Sequence, residues 1–133
     1  MSDHAKQNAA AWAASIFGIM AAYDAAHESG DDDAIEAAES EINNSPLSVR
    51  VRDDWRNPYD YSTPEKTPEE YEILLSTGGP ALRVYGSINE HGEPHDAILQ
   101  WQDWGTPWTD YHDTTEEQDA VILAFAGQFI QNY

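Results

Sequence analysis

Self-repulsion limits what this chain can fold into. It carries 25 Asp and Glu against 6 Lys and Arg, a formal charge of −19 over 133 residues. A net charge of that size works against the compact state, and solubility in a small domain needs a magnitude of only about 2–8. The excess therefore points outward, to a binding surface of opposite sign. Acid-rich chains with few aromatics stay disordered, but this one has 5 Trp, 7 Tyr and 3 Phe and is 41% hydrophobic. Those residues supply a core, so the sequence predicts a folded acidic domain. At this length one domain is expected, burying roughly two-thirds of the surface its unfolded chain exposes.

The charge is unevenly spread. Residues 1–45 hold nine acids and one base, Lys6; residues 65–133 hold thirteen acids and two bases. Between them, residues 46–64 are neutral, with Asp53, Asp54 and Asp60 offset by Arg50, Arg52 and Arg56. The reading is a single domain over 1–133, with an acidic helical part at 1–45 and a sheet plus a carboxy-terminal helix at 46–133.

With no cysteine, disulfides, thiolate nucleophiles and thiolate metal sites are ruled out. The first residues lack a basic n-region, and no stretch reads as the ~20 apolar residues of a membrane span. A cytoplasmic setting is expected. The negative charge disfavours direct contact with anionic lipid or nucleic acid.

Local patterns predict an α+β fold: two amino-terminal helices, a four-stranded antiparallel sheet and a carboxy-terminal helix packed on the sheet. Alanine-rich residues 4–28 form the first helix, with Trp12, Ile16, Met20 and Tyr23 at helical spacing, and Phe17 and Ile19 widening the stripe. Ser29-Gly30 stops it. The second helix runs from about Asp32 to Asn43 and can bury only Ile35, Ala38 and Ile42. Leu47 to Val51 alternates as a strand, and Asp53 to Thr67 is a long loop. A meander follows: a strand from Tyr71, a Gly78-Gly79 hairpin turn, a strand through Leu82, Val84 and Ile88, a turn at Asn89–Asp96, and a strand over Ala97–Trp104. The last helix starts near Thr114 or Thr115, and Thr114 with Glu117 fits a capping box.

Two surfaces stand out. Asp31, Asp32, Asp33, Glu36 and Glu39 crowd the second helix, and Asp103, Asp110, Asp113 and Glu116 follow the last strand. Carboxylates three or four residues apart on a helix lie roughly 5–6 Å apart. Along each strand of duplex DNA the phosphates recur every ~3.4 Å, so a carboxylate row reinforced by neighbouring acids approximates a phosphate track. The plain alternative is a solvated helix face, or acidity as an adaptation to salt. Trp104, Trp108 and Tyr111 form an aromatic patch among these acids, and Trp and Tyr are favoured interface anchors. Trp101 alternates with Leu99 and belongs to the core.

Catalytic signatures are missing: there is no G-x-S-x-G, P-loop or helical H-E-x-x-H. His91 and His95 are four apart on a turn, where that spacing does not create a shared face. The expectation is a non-enzyme without catalytic residues, metal or cofactor. Arg50, Arg52 and Arg56 are expected to pair with nearby acids.

The words Tyr71–Gly86, His91–Pro94 and Gln100–Trp108, with Ser45–Val51 and the closing helix, resemble a group of small acidic proteins encoded by bacteriophages and prophages. The resemblance covers about residues 42–130 and is weakest at the Asp31–Asp33 run. It implies an accessory protein of the anti-CRISPR or anti-restriction type, acting in the host bacterial cytoplasm. Its partner would be a basic nucleic-acid-binding protein or ribonucleoprotein, with a CRISPR effector favoured, and the chain would act as monomer or homodimer. The alternative is a phage regulatory module that binds a host protein through the aromatic patch without mimicry.

Overall fold

A computed structural model describes residues 2–52, 69–77, 80–103 and 105–131. The first helix, α1 (Ser2–Ser29), buries Ala5, Ala9, Ala13, Ile16 and Met20. Trp12, Ile19 and Tyr23 are partly buried beside them, whereas Phe17 remains 39% exposed and does not widen the buried stripe. Small alanines let the backbone of α1 approach its neighbours closely. The helix closes where Ser29 Oγ donates to the Ala26 carbonyl at 2.7 Å and Gly30 turns the chain at φ +69°, a conformation glycine adopts without a steric penalty. By length and composition His4–Ser29 is apolar enough to cross a membrane, contrary to the expectation that no stretch is. Alanine is the cause, because a helix of alanines scores as apolar without carrying large side chains.

Asp31 caps the second helix, α2 (Asp32–Asn44), its carboxylate accepting from the Asp33 amide at 3.1 Å. Acids at Asp32 and Asp33 then sit in the first turn, where the helix dipole favours them. Ala38 and Ile42 are buried, and α2 packs on α1.

The sheet is one antiparallel meander of five strands in chain order. They are β1 (Ser48–Arg52), β2 (Glu70–Ser76), β3 (Ala81–Ser87), β4 (Ile98–Gln102) and β5 (Thr109–Asp110). Four strands were expected; the fifth is two residues long, pairs with Gln100 and Trp101, and follows Pro107, too short to show an alternation. The expected Gly78-Gly79 turn and the loop over Asp53–Thr67 lie outside the described residues.

Helix α3 (Glu116–Gly127) starts in a capping box made by Thr115 and Gln118. The expected pair, Thr114 and Glu117, is one residue early. Thr114 instead donates its hydroxyl to Asp119.

Both α1 and α3 lie on one face of the sheet, against β4 and, for α1, β3. Tyr71, Ile73, Leu75, Leu82, Val84, Leu99 and Trp101 face them and meet Ile16, Ile122, Phe125 and Ile130 in a single core. Trp101 is 9% exposed, as its alternation with Leu99 predicts. Helix packing falls away toward β1: Leu47, just before it, and Val49 and Val51 within it stay 61%, 36% and 37% exposed. Among the described residues no helix packs on the opposite face of the sheet.

Candidate functional site

Acids gather where α1 turns into α2. Asp24, Glu28, Asp31, Asp32, Asp33, Glu36 and Glu39 are all exposed, and no Lys or Arg occurs between residues 24 and 39. The nearest group able to carry positive charge is His27, whose Nε2 lies 3.9 Å from Glu39 Oε1. Its ring also packs against Tyr23, with centroids 4.4 Å apart. Asp32, Glu36 and Glu39 share one helical face by their spacing. The hairpin fold thus adds Asp24 and Glu28, which the sequence reading did not include, to the five expected acids.

The other four expected acids are carried by separate local structures. In the turn after β4, the Asp103 amide donates to Thr106 Oγ1 at 3.2 Å, and the Thr106 hydroxyl donates to the Asp103 carbonyl at 2.9 Å. Asp110 accepts from Gln100 Nε2 at 2.8 Å. Glu116 stands in the first turn of α3 with Glu117 and Asp119. Asp113 lies beside Tyr111, whose hydroxyl is held above its ordinary pKa first by burial and then by that carboxylate.

Of the expected aromatic patch, Tyr111 is 9% exposed and belongs to the core cluster. Its amide donates to the Leu99 carbonyl at 2.8 Å, which ties the segment after β5 against β4 and draws the ring inward. Trp108 is half-buried, with the Arg83 guanidinium 4.2 Å from its ring centroid. Trp104 lies outside the described residues.

The open face of the sheet carries a polar network in which Glu72, Arg83 and Gln100, not singled out in the sequence, join the expected Arg50. Registry places Arg50 opposite Glu72 and Arg83 opposite Gln100, and Gln100 opposite Asp110. Arg50 Nε donates to Glu72 Oε1 at 2.9 Å, and Arg83 Nη1 donates to Glu72 Oε2 at 2.6 Å. Arg83 Nε donates to Gln100 Oε1 at 2.8 Å, and Gln100 passes the chain of bonds to Asp110. Burial pushes the Glu72 carboxyl up, but the hydrogen bonds from Arg83 and Arg50 together outweigh it and hold it below its ordinary pKa.

Beside this row, Arg52 pairs with Glu70 and donates to the Tyr85 hydroxyl at 3.1 Å. Arg83 also lies 4.6 Å from the Tyr85 ring centroid. A cleft of about 250 Å³ opens between Arg50, Arg52, Glu70, Glu72, Arg83 and Tyr85. Arg50 and Arg52 therefore pair with acids as expected; Arg56 lies outside the described residues. Three of the six Lys and Arg residues sit on this face, each engaged by a carboxylate. Alternation of Arg and Glu along β1 and β2 is the signal that finds the network, once the two strands are set in register.

Among the described residues no three His, Asp or Glu side chains converge as metal ligands. His91 and His95 sit in the turn where Asn89 accepts from the His91 and Glu93 amides at 2.9 and 3.1 Å. The fold thus separates its charges: unpaired-sign acids on the helical hairpin, and neutralised Arg on the open sheet. Comparison of the chain with protein-family models, curated proteins and solved structures finds no match.

Proposed function

We propose that this protein is a non-enzymatic inhibitor that presents carboxylates in place of phosphates to a basic nucleic-acid-binding groove. The observation that carries the reading is the hairpin: seven exposed acids between residues 24 and 39, with no Lys or Arg among them. Three of the six Lys and Arg residues, Arg50, Arg52 and Arg83, lie away from the hairpin on the open sheet, paired with Glu70 and Glu72. A field of one sign steers a basic partner and speeds encounter. The target class is a bacterial defence nuclease, and a CRISPR effector is the first to assay, on the strength of the resemblance to phage accessory proteins. The working site is Asp31, Asp32, Asp33, Glu36 and Glu39 with Asp24 and Glu28. Trp108 and Tyr111 are left out of it, because one is stacked on Arg83 and the other is buried.

The test is competition. A labelled DNA or guide-RNA duplex bound to the purified effector should be displaced by the protein, with an apparent affinity that falls steeply between 50 and 200 mM salt, as for competitors of phosphate contacts. A variant with Asp32→Asn, Glu36→Gln and Glu39→Gln should lose most of that activity while keeping its circular dichroism. Full displacement by that variant would remove the hairpin from the mechanism. Binding that survives high salt and is lost instead with Trp108→Ala would favour the regulatory-module alternative.

A further inference from the structure

A groove of about 540 Å³ runs between the two helices of the hairpin, away from its closed end. Helix α1 gives it Trp12, Ser15 and Ile19, spaced by three and four so that they share one face, with Gly18 beside them; α2 gives it Glu41 and Asn44. Trp12 and Ile19 rest partly on the core, and the remainder of each lines the groove. Inside the chain nothing requires a glycine at Gly18, because a methyl there would meet no atom within 4 Å. Glycine in a helix interior is destabilising relative to alanine, and what it offers in return is close approach of a ligand to the backbone.

The polar atoms of the groove are acceptors. Glu41 is exposed, and among the described residues no ion pair involves it. Asn44 donates its Nδ2 to Ser40 Oγ at 3.2 Å, which leaves Oδ1 to accept. The Ser45 hydroxyl, also on the lining, donates to the Ile42 carbonyl at 2.7 Å and is likewise left to accept. No Lys or Arg occurs between Lys6 and Arg50. His27 lies about two helical turns past Ile19, beside Glu39.

An aromatic wall next to a carboxylate and neutral acceptors selects a planar cation. A guanidinium is weakly hydrated, stacks on an aromatic ring and presents several N–H groups in one plane, whereas an ammonium is a compact, strongly hydrated charge. An apolar plug would strip water from Glu41 and return no hydrogen bond. A second copy of the chain fits poorly, since it brings the same charge of −19 and its Arg50, Arg52 and Arg83 are already held by carboxylates. A protein that binds nucleic acid lines its groove with Arg and Lys.

We infer that the groove between α1 and α2 receives an arginine side chain of the basic partner, its guanidinium against the Trp12 ring and its N–H groups on Glu41 and Asn44. This rests on the hairpin meeting such a partner and deepens that reading: acids at the closed end steer, and the groove fixes the register.

Two-dimensional 1H–15N NMR on the full chain tests it, read at the Trp12 indole N–H, which is assigned by its loss in Trp12→Phe. The probe is the blocked peptide acetyl-Gly-Arg-Gly-amide. The expected result is a saturating shift with a dissociation constant of about 1–10 mM, the range of one stacked and ion-paired side chain. The same peptide with citrulline, equal in shape and uncharged, should leave the signal in place, and the lysine peptide should bind about threefold more weakly. Gly18→Leu fills the groove from a position where a Cβ meets nothing, so it should abolish the shift with circular dichroism retained. Glu41→Gln should raise the dissociation constant about threefold. No saturating shift with the arginine peptide, an equal shift with the citrulline peptide, or a shift unaltered in both Gly18→Leu and Glu41→Gln overturns the inference.

Displacement of nucleic acid from the effector separates the inference from the reading it rests on. Gly18→Leu should displace about tenfold less well than the unaltered chain, as the loss of one interface anchor would. Undiminished displacement by Gly18→Leu removes the groove from the interface, overturns the inference and leaves the acidic hairpin as the mimic. Absence of displacement by the unaltered chain, with Trp12 still shifted by the arginine peptide, overturns the mimic and leaves the guanidinium site standing.

Discussion

Arg83 donates to Glu72 across β3 and β2 at 2.6 Å, with the two side chains only 15% and 10% exposed. Glu72 shares its other oxygen with Arg50, whose side chain is 71% exposed. The carboxylate thus joins a withdrawn guanidinium to a solvated one. Removing Glu72 leaves Arg83 with a nearly buried charge and no carboxylate. Breaking a buried pair from one side costs about 3–5 kcal/mol, and partial solvation at Arg50 reduces that, so Glu72→Ala is expected to cost about 2–3 kcal/mol. Arg83→Met should cost less, because Arg50 still neutralises Glu72. Urea unfolding of the two variants checks the order.

The same carboxylate sets an acid limb. Glu72 is held below its ordinary value of 4.5 in the folded state. Its contribution is therefore complete above the unfolded pKa and is lost as pH falls through the folded one. Stability measured between pH 6 and pH 2.5 should fall less steeply in Glu72→Gln than in the unaltered chain. Parallel slopes in the two proteins would show that other acids dominate that window.

Gly86 admits no side chain. A Cβ there would lie 2.1 Å from the Asp96 carbonyl oxygen and 2.7 Å from the Tyr71 hydroxyl, which itself donates to that carbonyl at 2.6 Å. Burial raises the pKa of Tyr71, so the hydroxyl stays protonated and keeps donating. Gly86→Ala must push backbone apart, and overpacking of a close contact costs about 1–3 kcal/mol or more. Tyr71→Phe removes the hydrogen bond at a cost of about 1–2 kcal/mol, but in the double variant it relieves only part of the clash, because the nearest atom is main chain. A thermal-unfolding double-mutant cycle reads that partial relief directly.

Much of the fold was legible because its signals are periodic. Alanine and the Ile16–Met20 spacing disclosed α1, and the alternation of Leu82 and Val84 and of Leu99 and Trp101 disclosed the inner sheet face. Features set by one residue or by long-range register were not legible. Thr114 and Thr115 offer the same hydroxyl, and only the backbone geometry at Thr115, with Gln118 reaching back, decides the cap. β5 is two residues long and exists by pairing, not by pattern. Tyr111 looked like a free aromatic among acids, yet pairing of the segment with β4 turns it into the core. On the candidate site, the acid run of α2 was visible as sequence, whereas Asp24 and Glu28 join it only through the turn at Gly30. The Arg83 network needed strand registry before its members became neighbours.

The cap makes its own prediction. Thr115 accepts from the Gln118 amide at 3.0 Å and Gln118 returns the contact to the Thr115 amide at 3.0 Å. Thr115→Ala should cost about 1 kcal/mol, seen as a lower urea midpoint. Thr114→Ala removes only a hydroxyl contact to the exposed Asp119 and should cost less. Equal losses would mean that the helix end is held by packing at Ile122 and not by its cap.

Function and stability should pull in opposite directions at Glu36 and Glu39. Both are exposed, neither caps α2, and their neighbours are mostly acids, so neutral replacements relieve repulsion. Asp31 differs, because its carboxylate caps the helix, and Asp32 and Asp33 gain from the helix dipole. Glu36→Gln with Glu39→Gln is therefore expected to raise the melting temperature by about 1–4 °C at 20 mM salt and by less at 500 mM, where charges beyond ~5 Å are screened. Among the described residues the opposing contact is the exposed His27–Glu39 pair at 3.9 Å, which adds little. The same double variant should bind the basic partner more weakly. A gain in stability together with a loss of binding marks carboxylates kept for what they bind. A chain adapted to salt behaves otherwise: it unfolds in dilute buffer and is rescued by salt, whereas this fold, with its Arg locked to Glu on the sheet, is expected to stay cooperative at 20 mM.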